Sequence, residues 1–124
     1  MIAPRRFPCT AQLALDARDV ERLDELATAR PESELSTRAE AVRAAIDNLA
    51  SLIRDEPEAW TSDYLDTFAT PFGYDRELRF GIAITREQHA DLTLIARKMG
   101  PSCGLGEALA IAVRLLCDAY DCPR

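Results

Sequence analysis

The sequence predicts a mainly α-helical fold made of two copies of one strand–helix–helix unit, and three observations lead to this prediction. First, Leu13–Asp19 matches Ile82–Gln88 at an offset of 69 residues, and each segment is an alternating apolar stretch followed by a helix start. Second, the match resumes at an offset of 67, where Glu40–Val42 aligns with Glu107–Leu109. Third, apolar residues in both copies recur at helical spacing.

The size and composition of the chain limit the classes of protein it can be. A unit of about 45 residues is close to the smallest that buries a sufficient core, so the two copies should share one core. We expect a cytoplasmic protein without a membrane segment, because no apolar run reaches about 18 residues and no signal-peptide pattern opens the chain. The four cysteines form no CxxC pair and His89 is the single histidine, so no metal or cofactor is expected.

The net charge of −6 is concentrated in one segment. Residues 55–77 contain one basic and seven acidic side chains, whereas residues 1–54 contain eight and nine, and residues 78–124 contain six and five. Each repeat is therefore close to neutral, and the overall acidity does not exclude a nucleic-acid partner.

The first part of the chain is a basic arm, residues 1–9, followed by the first repeat, residues 10–54. Alternation predicts a half-buried strand over 10–15, with Asp16 as the N-cap of a helix that ends near Ala29. Pro31 stops that helix, and Ser36 or Thr37 caps the second one.

The second repeat, residues 78–124, follows the same plan. Thr85 and Gln88 form a capping box after the strand, Gly100 and Pro101 end the first helix, and Ser102 or Cys103 opens the last helix. That last helix is apolar nearly all round, so it should be covered on every side, and the connector is the expected cover.

The connector, residues 55–77, holds five of the eight aromatic residues. Three of them recur every fourth residue after Pro57, which predicts a short amphipathic helix that ends before Pro71: Trp60, Tyr64 and Phe68. Two interpretations remain open. The aromatic stripe packs on the last helix, or it forms an exposed face for a partner protein.

The helical pattern resembles the ribbon-helix-helix DNA-binding family of the MetJ/Arc type. The resemblance rests on Leu23-Asp24-Glu25-Leu26-Ala27 followed by the stretch Ser36–Ile46, and it extends loosely to residues 79–120. It implies a mainly α fold with a two-stranded antiparallel ribbon, in which both halves of the usual dimer lie in one chain as a tandem pseudo-dimer. The ribbon would consist of Thr10–Leu15 and Arg79–Ile84 and would enter the DNA major groove.

The resemblance also implies which side chains read bases. They are the outward residues of the two strands: Thr10, Gln12, Ala14, Arg79, Gly81 and Ala83. Arg79 would bind guanine bidentately, Gln12 would do the same for adenine, and Ala14 or Ala83 would meet a thymine methyl.

Phosphate contacts are implied at the openings of the second helices. There, backbone amides at a helix N-terminus would hold phosphate in two segments: Ser36, Thr37 and Arg38, and Ser102, Cys103 and Gly104. Arg5 and Arg6 of the arm would follow the DNA backbone.

Two functions of different class follow. The first is a sequence-specific binder of double-stranded DNA, a transcriptional repressor or a site-marking accessory factor, acting as a monomeric pseudo-dimer or a homodimer. The alternative is a scaffold without DNA binding that acts as a protein-interaction module. That module would be antitoxin-like, or a phage-type acidic inhibitor of a nucleic-acid-binding complex. An enzyme is not expected, because no nucleophile–base pair or glycine-rich phosphate loop occurs.

Overall fold

The computed structural model of this chain describes residues 7–29, 37–68, 77–101 and 103–120. Within these ranges the protein is mainly helical, with five helices and one two-stranded antiparallel sheet. The elements in chain order are β1 (Cys9–Asp16), α1 (Ala17–Ala29), α2 (Arg38–Asp55), α3 (Ser62–Asp66), β2 (Glu77–Ile84), α4 (Arg86–Met99) and α5 (Leu105–Ala119).

The two strands form the predicted antiparallel pair, although three helices separate them along the chain. Thr10 lies opposite Ala83, and Gln12 lies opposite Gly81. Side chains alternate between the two faces, as a pleated strand requires. The inward residues Ala11, Leu15, Ile82 and Ile84 are buried. The sheet therefore has one face on the core and one face toward solvent.

The helix starts of the first repeat follow the capping signals. The Asp16 carboxylate accepts a hydrogen bond from the Arg18 amide at 3.4 Å, where α1 begins. Thr37 is the N-cap of α2, because its hydroxyl accepts from the Glu40 amide at 3.1 Å. Ser36, the other candidate cap, lies outside the described residues.

The second repeat confirms one predicted cap and corrects another. Thr85 and Gln88 form the capping box, with bonds of 3.0 and 2.9 Å. The predicted opening of the last helix at Ser102 or Cys103 is wrong, because α5 begins at Leu105 with Gly104 as its N-cap. The Cys103 amide instead donates to the Gly100 carbonyl at 3.2 Å, so Cys103 still belongs to the turn that closes α4. That turn requires Gly100, whose φ of 133° is strained for any residue with a side chain.

Helix α5 is the centre of the core. Its residues Ala108–Cys117 are all buried, and it packs against α1, α2, α4 and β1. The cover of this apolar helix is therefore supplied mainly by the two repeats themselves. In the described part of the connector, α3 packs against α4, and the Phe68 carbonyl accepts a hydrogen bond from Arg114 of α5.

Polar contacts join the first helix of each repeat to the second helix of the other. Asp19 of α1 accepts from Arg114 of α5 at 3.0 Å, and Asp47 of α2 accepts from Gln88 of α4 at 3.3 Å. A second pair of contacts lies about one turn farther along α1 and α4, where Arg22 binds Asp118 and Arg54 binds Asp91. None of the helices in the described ranges is both long and apolar enough to cross a membrane.

Candidate nucleic-acid interface

The solvent face of the β1–β2 sheet carries its polar side chains in a regular arrangement. In each cross-strand pair one residue with hydrogen-bonding capacity faces a glycine or an alanine. The pairs are Thr10 with Ala83, Gln12 with Gly81, and Arg79 with Ala14. Thr10, Gln12 and Arg79 are exposed. Small residues therefore lie beside each polar side chain on this face, and each polar side chain has room to extend into solvent.

Gly81 lets two of these side chains approach each other. A Cβ atom at this position would lie 3.3 Å from Gln12 Nε2 and 3.3 Å from Thr10 Cγ2. The ends of both side chains therefore lie beside the Gly81 backbone. A methyl group at Gly81 would displace the Gln12 amide, because this flexible group is the part that can move.

Arg43 of α2 is a cation at the edge of this face that sequence reasoning did not single out. Its Nε donates to the Ala83 carbonyl at 2.8 Å, and its guanidinium carbon lies 3.9 Å from the centre of the Phe7 ring. In the sequence Arg43 is only one polar position beside an apolar helical stripe. Its contact to a strand 40 residues away depends on how α2 packs.

The backbone amides at the start of α2 are the predicted phosphate site, and the side chains of two residues there, Thr37 and Arg38, already have partners within the protein. The Thr37 hydroxyl is occupied by the Glu40 amide. Arg38 makes a bidentate pair with Asp24, with bonds of 2.9 and 2.8 Å, and this pairing raises the pKa of the Arg38 guanidinium. Phosphate would compete with Asp24 for these two guanidinium donors, and both side chains are accessible.

The start of α5 offers a different environment. The Cys103 thiol is half-buried and 3.5 Å from the Gly104 carbonyl. Burial raises the pKa of the Cys103 thiol, and the charge of Glu107 and a hydrogen bond with it act in the same direction. The thiol therefore stays protonated at neutral pH, as a weak donor.

Several predicted residues cannot be placed. Arg5, Arg6, Ser36 and Ser102 lie outside the described residues, as does the side chain of Ala14. The structure thus brings the strand residues together on one face, and it places Thr37 and Arg38 in contacts within the protein. Among the residues it describes, no three His, Cys, Asp or Glu side chains gather where a metal ion would bind.

The helix that carries the aromatic stripe of the connector is shorter than the predicted one. Helix α3 spans only Ser62–Asp66, because a turn after Glu56 precedes it and the Thr61 hydroxyl caps it at 3.2 Å from the Tyr64 amide. Trp60 and Phe68 are half-buried against the core, and Tyr64 between them is 47% exposed. Trp60 and Phe68 thus pack on the protein core, whereas the interpretation of the stripe as a partner surface stays a prediction. The fully buried residue of α3 is Leu65, which the aromatic pattern did not indicate.

Comparison with known proteins yields no relative. The chain matches no family model, and neither the curated proteins nor the solved structures contain a significant match.

Proposed function

We propose that this protein binds double-stranded DNA in a sequence-specific manner by placing the β1–β2 ribbon in the major groove. The observation that carries the proposal is the solvent face of the ribbon, where Thr10, Gln12 and Arg79 each face a glycine or an alanine. A two-stranded ribbon is one of the elements that fits the major groove, whose base edges offer the donors and acceptors these side chains match.

The proposed arrangement is a tandem pseudo-dimer, and the contacts between the repeats support it. At the offsets of the sequence repeat, Asp19 corresponds to Gln88 and Arg114 corresponds to Asp47. The bond from Arg114 to Asp19 and the bond from Gln88 to Asp47 therefore join equivalent positions, with donor and acceptor exchanged. Such a pair of contacts is what an approximate twofold axis between the repeats produces.

The acidic connector begins at the end of α2, away from the contact between that helix and the ribbon, and its last residue, Glu77, is the first residue of β2. Arg43 reaches the ribbon at Ala83, and Asp55 ends the same helix twelve residues later. At 1.5 Å per residue this is about 18 Å along the helix axis. The Debye length is about 8 Å at physiological ionic strength, so repulsion between the Asp55 carboxylate and DNA bound on the ribbon is largely screened.

Direct readout would depend on two side chains. Arg79 matches guanine O6 and N7, and Gln12 matches adenine N6 and N7, with each correct pair contributing about 1–3 kcal/mol of discrimination. Gly81 supports this role because it leaves space beside the Gln12 amide. Arg43 adds positive charge at the ribbon edge.

The test begins with selection of a binding site from random duplexes at moderate salt. Replacing Arg79 with Ala should weaken binding to the selected site by about 1–3 kcal/mol and relax the preference at one base pair. Arg97→Ala removes the same charge from an exposed position on α4 and should have a much smaller effect. Gly81→Ala should alter the preference at the position read by Gln12.

Two results would contradict the proposal. One is a selection that enriches no sequence, together with the absence of duplex binding at low salt. The other is an equal loss of affinity in the Arg79 and Arg97 variants, which would indicate general charge attraction rather than base readout.

A further inference from the structure

The connector presents a surface that combines aromatic rings with carboxylates, here called the acidic–aromatic patch. Its rings are Trp60, Tyr64 and Phe68. The ring centroids of Trp60 and Tyr64 are 5.2 Å apart, and those of Tyr64 and Phe68 are 5.7 Å apart. Its carboxylates are all exposed and belong to Asp55, Glu56, Glu58, Asp63 and Asp66. No basic residue occurs between Asp55 and Phe68.

These carboxylates take no part in side-chain contacts within the described ranges. None of the five makes an ion pair or a side-chain hydrogen bond with any residue in the described ranges. In contrast, Asp19, Asp91 and Asp118 on the packed helices each bind an arginine of another helix. Asp55 and Asp66 are moreover the last residues of α2 and α3, where the helix dipole disfavours negative charge.

The rings are held in place and remain accessible. Leu65 is completely buried and anchors α3 on the core, so Tyr64 on the same short helix is fixed toward solvent. The Arg114 guanidinium donates to the Phe68 carbonyl at 2.8 Å, which ties the end of the connector to α5. An exposed aromatic ring with carboxylates near it in the chain attracts cations, and guanidinium most of all, because it stacks on a ring while pairing with a carboxylate.

We propose that the acidic–aromatic patch binds an arginine-rich segment of another protein. One arginine of that segment would stack on Tyr64. Further arginines of the same segment would pair with the unpaired carboxylates. Charge excludes nucleic acid and anionic membranes as occupants, and it disfavours the same patch of a second copy. Asp55, the first residue of the patch, lies about 18 Å along α2 from Arg43, which contacts the ribbon. The proposal does not depend on the DNA-binding function.

The first experiment uses the full-length chain and its single tryptophan as the reporter. A peptide of five Arg-Gly-Ser repeats should change the fluorescence of Trp60 in a saturable way at low ionic strength. The lysine version should bind more weakly, because ammonium stacks less well on aromatic rings. The glutamate version should not bind. The absence of a saturable change with the arginine peptide would overturn the proposal.

Matched variants separate the patch from the overall acidity. Tyr64→Ser should weaken the arginine peptide about threefold, and the double variant Asp55→Asn with Asp66→Asn should weaken it about tenfold. The control neutralises two exposed carboxylates outside the patch, Glu21→Gln with Glu87→Gln, and should change affinity less than about twofold. Thermal melts should show all of these variant chains folded. An equal loss in the control would mean that net charge alone attracts the peptide. The titration contains no DNA, so its outcome is independent of the role of the ribbon.

Discussion

Asp47 connects the two repeats through one side chain, whose charged form is disfavoured by folding. Its carboxylate accepts two hydrogen bonds of 3.3 Å from the Gln88 amide of α4. Burial raises the pKa of Asp47 above its ordinary value of 3.8, the charge of Asp91 acts in the same direction, and the bond from Gln88 partly opposes both. The charged form is therefore less favourable in the folded protein than in the unfolded chain.

This shift predicts a pH-dependent effect of Asp47→Asn. Well below pH 3.8 the carboxyl is protonated in both states and the variant should melt close to the parent. As the pH rises through the raised folded pKa, the parent acquires the cost of the partly desolvated charge and the variant does not. The asparagine side chain also keeps an acceptor for Gln88. The variant should thus be more stable at neutral pH, as measured by thermal melts between about pH 3 and pH 7. A difference that is constant over this range would contradict the assignment.

At the scale of elements, α3 is too short to be stable alone, since isolated helices below about 12 residues are marginal in water. Its position depends on Leu65, which is completely buried, while Tyr64 is 47% exposed. Leu65→Ala should destabilise the protein by about 2–5 kcal/mol, and Tyr64→Ala by less than about 0.5 kcal/mol. Trp60→Ala should fall between them, because Trp60 is half-buried. Denaturant unfolding measures all three. Equal losses for the Leu65 and Tyr64 variants would show that α3 is not anchored as described.

At the scale of the whole molecule, the pair of Asp19 and Arg114 links α1 of the first repeat to α5 of the second. The two side chains are 6% and 8% exposed and 2.8 Å apart. Arg114→Met leaves the Asp19 charge buried and should cost about 3–5 kcal/mol. Adding Asp19→Asn should recover part of that loss, so the double-mutant cycle should show strong coupling.

The exposed pair of Asp24 and Arg38 is the control for this cycle, since it joins α1 to α2 within one repeat. Its side chains are 45% and 42% exposed, and its coupling should stay below about 1 kcal/mol. Similar coupling in both pairs, from denaturant unfolding of the parent and the variants of both cycles, would contradict a buried link between the repeats.

The sequence by itself determined the features that depend on local geometry. The period-two alternation of 10–15 and 79–84 sets which side chains face the core, because successive residues of a strand point to opposite faces. The capping box of Thr85 and Gln88 and the stop at Gly100 involve residues only a few positions apart. The strand–helix–helix order of both repeats follows from such signals, and the structure confirms it.

Only the tertiary structure decided the contacts between distant residues. Arg43 donates a hydrogen bond to the Ala83 carbonyl, and Arg38 forms an ion pair with Asp24. Helix α5 is covered by elements of both repeats. Leu65 rather than the aromatic stripe anchors α3. Such contacts depend on which helix faces meet after packing, and one-dimensional periodicity states only that a face is apolar, not what covers it.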